Sequence, residues 1–495
     1  MKSISILTIC CFLLIAPIFL SLNAFAAQSL PILIDAGSDQ GDSHVLELIG
    51  VNIPLIGDYD SMNDPAIKAW HDLRLKNHRG IFFFDSHPED AIKVIRDAGG
   101  AIRLDFTGFD AVVSDMRNMF IADTMFTVAY MPKELSSSPD ADGELYSAYA
   151  PRDYNEWYQV VYTIVQHIVH RFGLKGAYYE VWNEPDDAKS YWRGLPKSET
   201  GKDRLNDYLV LYAWTATAIK AADPTAKVGG PSTAHYNGTA AGFDYAWGLR
   251  DFLTAVRDFN GGVAVDKQLP LDFITWHDYA WANSKLSDGA DFVKSVTTQL
   301  DFAKEAPYFV TEWNRSSGES CGQFTRQQIA SHAAYNLVRE TSAQDRHFQG
   351  LYWYGLDSDN GCVDSALMSP LPSPGCHRPA FAVYEMLSAM TGGKKITTLA
   401  SEPLEAFATK EVGKVMAVIS NNSETLTEAA VKFNNLPWGN QTLKTRIRRM
   451  DKTHSIGCAG LEDGGIYSGE TVDNSLTVKV LLPEYSAVQL ILSPE

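Results

Sequence analysis

The sequence predicts an α/β fold, a (β/α)₈ barrel with an antiparallel β-sandwich at its C-terminal end. Between about residues 45 and 392, short β-prone runs alternate with longer amphipathic ones, the pattern of repeated βα units around a parallel sheet. After Gly392-Gly393 that alternation stops, and only short period-two segments follow. Two barrel-region runs, Tyr-Tyr-Glu-Val-Trp-Asn-Glu-Pro-Asp at 178–186 and Pro-Tyr-Phe-Val-Thr-Glu-Trp-Asn at 307–314, each bring a glutamate to a strand's carboxyl end. Barrels carry out their chemistry at that end.

The expected strands are 47–53, 101–106, 125–131, 177–183, 226–230, 272–277, 307–312 and 349–354, with 80–84 as an alternative to the first. Helices are expected near 88–98, 153–172, 205–222, 247–259, 290–304, 325–341 and 379–390. The clearest is 153–172. Asp153 with Glu156 makes a capping pattern, an apolar stripe runs from Trp157 to Phe172 at helical spacing, and Gly173 stops it. The second domain spans 393–495, with strands such as Val415–Ser420, Leu443–Arg448 and Leu476–Leu481, and residues 28–44 are expected to add a strand to it.

Residues 1–26 have the form of an export signal: Lys2, the apolar run Ile4 to Leu22, and Ala24-Phe25-Ala26 as a small-x-small exit. Cleavage near Ala26 or Ala27 leaves no membrane span and a secreted or periplasmic protein. Cys321, Cys362, Cys376 and Cys458 remain, an even number that allows three disulfide pairings. Cys362–Cys376 and Cys321–Cys362 compete, and the spacing does not fit a zinc site. The formal net charge is −18, which argues against nucleic acid or an anionic membrane as partner. The 11 Trp and 22 Tyr fill cores first, but flat apolar rings also line carbohydrate clefts.

Cleaving a glycosidic bond takes one protonated carboxyl beside the leaving oxygen and one ionised carboxylate across the anomeric carbon. Glu184, before Pro185, suits the first role. Glu312 suits the second, on a strand whose inward positions by alternation are Tyr308, Val310 and Glu312. A single such glutamate is as readily an exposed loop acid; two, on separate aromatic strands, favour catalysis. His167 and His170 sit three apart on a helix with no third ligand and are read as surface residues. The sequons beginning at Asn237, Asn314, Asn421 and Asn440 are read as chance matches.

Trp182-Asn183-Glu184-Pro185-Asp186 and Thr311-Glu312-Trp313-Asn314 resemble the acid/base and nucleophile motifs of the large retaining barrel clan of glycoside hydrolases. With Ala222-Asp223-Pro224, Val228-Gly229-Gly230-Pro231, His377-Arg378-Pro379-Ala380-Phe381 and Leu482-Pro483-Glu484-Tyr485-Ser486, the chain resembles glycoside hydrolase family 39. That family holds β-xylosidases, α-L-iduronidases and bacterial exopolysaccharide glycosidases. The resemblance implies a retaining double displacement on an oligo- or polysaccharide, with no cofactor and no metal. Glu312 would be the nucleophile and Glu184 the acid/base, with a raised pKa. Asn183 would hold the sugar 2-hydroxyl, and Tyr279, sharing parity with His277 at a strand end, would donate to Glu312. Strand position adds Arg103, whose inward guanidinium would pair with Glu312 or Glu180, and Trp353, either a stacking floor for the sugar or a core residue. Glu180 is read as a buried ion-pair partner. The segments 54–87 and 315–321 depart from the family's xylosidases and leave the substrate open. A catalytically inert carbohydrate-binding barrel and a transglycosylase are the competing functions.

Overall fold

The computed structural model describes residues 29–52, 71–84, 91–118, 123–143, 145–238, 246–279, 285–315, 323–343, 348–355, 367–369, 376–454 and 461–495. The expected export signal, Cys321, Cys362 and Cys458 lie outside them, as does the side chain of Cys376.

The first strand of the described residues, β1 (Leu30–Asp35), lies outside the barrel. Eight parallel strands then close on themselves in chain order. They are β2 (Ile49–Asn52), β3 (Asn77–Phe82), β6 (Asp123–Val128), β7 (Tyr178–Val181), β8 (Lys227–Thr233), β9 (Phe273–Tyr279), β10 (Tyr308–Asn314) and β11 (Phe348–Tyr354). Seven of the eight fall on expected segments. The exception is 101–106. Its residues form β5 (Ile102–Asp105), which pairs antiparallel with β4 (Lys93–Arg96) in a hairpin outside the barrel. The second barrel position goes to β3, and the helix expected at 88–98 is replaced in part by β4.

The helix expected at 153–172 runs from Tyr154 to His167 and continues as a wider turn to Phe172. The Asp153 carboxylate accepts from the backbone N–H groups of Asn155 and Glu156, and Gly173, at φ 71°, ends it. Further helices cover Gly201–Ala222, Leu249–Gly261, Leu286–Leu300, Arg326–Ser342 and Pro379–Ser388.

Two apolar layers hold the barrel. The outer one joins strands to helices and contains Trp157, Tyr179, Trp276, Val310, Trp313 and Trp353. The inner one is small: Met125, Phe273, Phe309 and Tyr352, with Tyr178 packed against them. Tyr178 on β7 and Phe309 on β10 belong to strands three apart, yet their ring centroids are 5.4 Å apart, so they meet across the interior. Gly229 makes room for this plug, because a Cβ there would sit 2.3 Å from the carbonyl oxygen of Phe273.

After a short hairpin, β12 (Met368–Ser369) with β13 (Cys376–His377), the chain enters a nine-stranded sheet. Its strands are β14 (Lys394–Leu399), β15 (Leu404–Glu411), β16 (Lys414–Asn421), β17 (Thr427–Asn434), β18 (Thr442–Met450), β19 (Glu462–Glu470), β20 (Leu476–Leu482) and β21 (Ser486–Pro494), joined by β1. The order is β19-β18-β21-β16-β15-β14-β1-β17-β20. The sheet curls so that Arg449 on β18 donates to the Leu481 carbonyl on β20 at 2.8 Å, and it encloses Ile32, Ile34, Ala417, Val431, Phe433, Val478 and Leu490. It is mixed rather than wholly antiparallel, because β1 runs parallel to β17 and antiparallel to β14.

Candidate active site

The exits of β3, β7, β8, β9 and β10 converge on one polar cluster. β7 leaves the barrel through an unusual backbone: Trp182 has φ 74° and Glu184 φ 46°, and across from them Ser232 on β8 has φ 59°. Side chains other than glycine rarely occupy that region, and each such residue costs on the order of 1–3 kcal/mol. The turn is held by the Trp182 indole N–H donating to the Tyr191 carbonyl at 2.9 Å and by the Glu184 N–H donating to the Ser232 carbonyl at 2.9 Å. The result turns the Glu184 side chain over the barrel mouth.

Glu312 reaches the same place by a register shift. Tyr308 and Val310 pack in the outer layer and Phe309 in the inner one, so simple alternation would send residue 312 outward. Pairing of β10 with β9 slips between Val310 and Glu312, and Glu312 faces inward beside His277. The expected inward set Tyr308–Val310–Glu312 is thus corrected. Glu312 does face inward, but through a bulge that alternation does not contain.

Arg79 anchors the cluster from β3. It is fully buried; its Nη1 donates to Glu312 Oε1 at 2.5 Å, and its Nε and Nη2 donate to Glu180 Oε2 at 2.9 and 2.7 Å. Nη2 also donates to Asn183 Oδ1 at 2.7 Å. Asn183 in turn donates to the Tyr130 hydroxyl at 2.9 Å. The Tyr279 hydroxyl donates to Glu312 Oε2 at 2.6 Å. His277 Nδ1 lies 2.7 Å from Glu184 Oε1 and 3.5 Å from Glu312 Oε2, and its Nε2 lies 2.8 Å from the Ser232 hydroxyl. A single oxygen of each glutamate and a ring nitrogen of His277 all lie within 4.8 Å of one another.

The two carboxyls differ in their surroundings. Burial raises Glu184 above the usual carboxylate range, aided by the charge of Glu312 and opposed by His277. Burial acts on Glu312 in the same direction, but His277, Arg79 and the Tyr279 hydroxyl outweigh it and bring Glu312 below that range. Burial together with the charge of Glu312 pushes the Tyr279 phenol well up, which keeps it a hydrogen-bond donor. The Glu184–His277–Glu312 spacing would also suit a metal ion, but the Arg79 guanidinium already occupies one face of Glu312 and repels a cation.

Of the residues expected at the site, Glu184, Glu312, Asn183, His277 and Tyr279 come together. Arg103 does not. It lies exposed on β5 of the outer hairpin, and Arg79 makes the ion pairs anticipated for it with Glu180 and Glu312. Trp353 does not either. It is fully buried in the outer layer, edge-on to Trp313 at 4.7 Å, and cannot meet a sugar. Its neighbour Tyr354 stands at the mouth instead, 6.0 Å from Tyr279 between ring centroids. Arg79, Tyr130, Tyr191, Ser232 and Tyr354 were missed. Arg79 had a faint signal, standing just before the apolar run 80–84, but the polar text Asn77-His78-Arg79 concealed the strand.

A closed parallel barrel with two opposed, differently tuned carboxyls at the carboxyl ends of β7 and β10 defines a glycosidase. The model of the glycosyl hydrolases family 39 matches residues 63–353, more than half of the chain, and the chain belongs to that family. A "Beta-xylosidase" of Caldicellulosiruptor saccharolyticus is 25% identical over 367 residues, covering 68% of each chain. The family 39 enzyme of Xanthomonas axonopodis pv. citri has a similar fold, with a TM-score of 0.73 at 18% identity, over 96% of this chain and 99% of that one. A monomeric β-xylosidase of Caulobacter crescentus CB15 gives a TM-score of 0.72 at 19% identity, over 94% of this chain and 100% of that one.

Proposed function

We propose that the protein is a retaining, β-xylosidase-like glycosidase that acts outside the cytoplasm. The single observation that carries the retaining reading is the carboxyl spacing. One oxygen of Glu184 and one of Glu312 lie within 4.8 Å of each other, nearer the roughly 5–5.5 Å of double displacement than the roughly 6.5–9.5 Å of inverting enzymes.

Glu312, ionised, attacks the anomeric carbon while Glu184 gives its proton to the departing oxygen. The glycosidic bond breaks and a glycosyl ester on Glu312 forms. Glu184, now a carboxylate, takes a proton from water as that water attacks the same carbon and releases Glu312. Arg79 and Tyr279 hold the nucleophile's two oxygens apart and aimed. Asn183, clamped between Arg79 and Tyr130, offers its amide to the sugar 2-hydroxyl. The xyloside preference is supported by the curated relatives named β-xylosidase; an endo-acting exopolysaccharide hydrolase is the alternative that the same carboxyls would serve.

The test is a panel of aryl glycosides and polysaccharides, with wild type beside Glu184→Ala and Glu312→Ala. Both variants should lose at least about a thousandfold in kcat on substrates with poor leaving groups. Azide should restore turnover to both, giving a glycosyl azide of retained configuration with Glu184→Ala and of inverted configuration with Glu312→Ala. Unchanged hydrolysis by Glu312→Ala would remove the nucleophile assignment.

A further inference from the structure

Asp186 is a buried acid that the double displacement does not use. It stands two residues after Glu184 and is wholly buried. Its Oδ1 accepts the Ala234 N–H at 2.9 Å, and its main-chain carbonyl accepts the Ala246 N–H at 2.9 Å. Its Oδ2 has no hydrogen-bond partner among the described residues. Burial pushes this carboxyl well above the usual carboxylate range, against the Ala234 bond and with the charge of Glu184. Asp186 is therefore held as the neutral acid, which needs no counter-ion to stay inside.

The backbone around it is irregular on both sides. Paired strand between β7 and β8 ends at Glu180 opposite Gly229, before the chain reaches the acid/base. Beyond that point Trp182 and Glu184 on one side and Ser232 on the other take left-handed backbone, at φ 74°, 46° and 59°. Such conformations persist only where the surroundings over-determine them. β8 also slips its register against β9 between Pro231 and Thr233.

Two bonds join the exits across this stretch. The Glu184 N–H donates to the Ser232 carbonyl at 2.9 Å, and two residues further along both segments the Ala234 N–H donates to Asp186. The Ala246 bond brings a third segment, the one leading into the helix Leu249–Gly261, onto the same residue. The Ser232 hydroxyl in turn meets His277 Nε2 at 2.8 Å, and His277 Nδ1 meets Glu184 Oε1 at 2.7 Å. The Glu184 carboxyl is thus aimed through a ring of contacts whose β8 member is tied down by Asp186.

We propose that Asp186 is a positioning residue for the acid/base: it clamps the exits of β7 and β8 together so that the Glu184 carboxyl meets the departing oxygen, and it acts without touching substrate. The inference rests on the glycosidase reading and adds to it. Loss of the clamp should give a selective defect. Protonation of the leaving oxygen and deprotonation of the attacking water both run through Glu184, whereas the attack runs through Glu312, held by Arg79 and Tyr279 from other strands. A general loosening of the barrel mouth would harm both carboxyls alike.

The experiment compares Asp186→Ala and Asp186→Asn with wild type on two substrates of the sugar found active. One is the free disaccharide, whose leaving group needs the proton; the other is the dinitrophenyl glycoside, whose leaving group does not. Asp186→Ala should lose about tenfold or more in kcat/KM on the disaccharide and keep it within about twofold on the dinitrophenyl glycoside. On the latter, kcat and KM should fall together, because the glycosyl ester accumulates when its hydrolysis lacks a well-aimed base. Azide should then raise kcat in Asp186→Ala and not in wild type. Asp186→Asn keeps an acceptor for the Ala234 N–H and should stay within about threefold of wild type on both substrates. Equal losses on both substrates, no loss on the disaccharide, or an Asp186→Asn variant as impaired as Asp186→Ala would overturn the clamp. Should Asp186→Ala fail to fold, Asp186→Ser, one bond too short to replace the carboxyl oxygen, is read in its place by the same criteria. If wild type hydrolyses nothing, the glycosidase reading itself fails. The clamp is then read from crystal structures of wild type and Asp186→Ala: a Glu184–His277 contact unchanged from 2.7 Å overturns it, and one opened beyond hydrogen-bonding reach sustains it.

Discussion

At the scale of single residues, the opposed shifts of Glu184 and Glu312 set a pH window. Glu312 must be ionised to attack, and its pKa is lowered, so activity persists as pH falls until that carboxylate takes a proton. Glu184 must be protonated to assist departure, and its pKa is raised, so activity persists as pH rises until that proton leaves. We expect a bell-shaped kcat/KM profile whose acid limb belongs to Glu312 and whose alkaline limb belongs to Glu184. On an aryl glycoside with a good leaving group, Glu184→Gln should keep the acid limb and lose the alkaline one; an alkaline limb that survives would assign that titration elsewhere. Arg79 makes a second contrast. Arg79→Ala strands Glu180 in the interior without its partner, and should cost about 3–5 kcal/mol in chemical denaturation together with about a hundredfold or more in kcat. Arg103→Ala, on the exposed hairpin, should change stability by less than about 0.5 kcal/mol and leave kcat/KM within about twofold.

At the scale of elements, legibility followed the hydrogen-bond pattern. Helices with a sharp cap and stop could be read closely, because capping is a local matter. Asp153, Glu156 and Gly173 lie in one short stretch, and the structure uses Asp153 and Gly173 as anticipated. Asp153→Ala should cost about 1 kcal/mol in thermal or denaturant unfolding and leave kcat/KM unchanged, since the cap lies on the outer layer's helix. Strands were harder, because a β-prone run does not state its partner. Ile102-Arg103-Leu104-Asp105 has strand character and is a strand, yet it pairs with β4 in a hairpin. The true second barrel strand reads Asn77-His78-Arg79-Gly80, and its polarity follows from its job, since an inward guanidinium carries the charge network of the site. Trp353 was misassigned because a strand-end aromatic has two faces to choose from, and a neighbouring indole at 4.7 Å decided it for the outer layer. Glu312 was rightly placed facing inward, but Tyr308 and Val310 were wrongly placed inward with it, because a bulge lies between Val310 and Glu312. Sequence thus carried the carboxyls, whose strand ends it marks, and missed Arg79, Tyr130 and Tyr191, whose roles depend on cross-strand neighbours.

At the scale of the whole molecule, the described residues run from the nine-stranded sheet through the barrel and back to that sheet. β1 sits between β14 and β17, with Ile32 and Ile34 wholly buried in the sheet's core. Without it, β14 and β17 each present an unpaired edge and that core loses two fully buried isoleucines, about 1.5–3 kcal/mol each. The sheet is also fastened to the barrel. Ser331 donates to the Asn421 carbonyl at 2.9 Å, Arg339 pairs with Glu405 at 2.7 Å, and Gln489 donates to the Met386 carbonyl at 2.8 Å. A fragment of residues 393–495 should therefore fail to give dispersed amide signals in solution. The same fragment with residues 29–36 fused ahead of it through a flexible linker should regain them, because the missing strand supplies both edges at once. A well-folded 393–495 fragment lacking β1 would mean that the sheet stands on its own and that the N-terminal strand is an accessory to it.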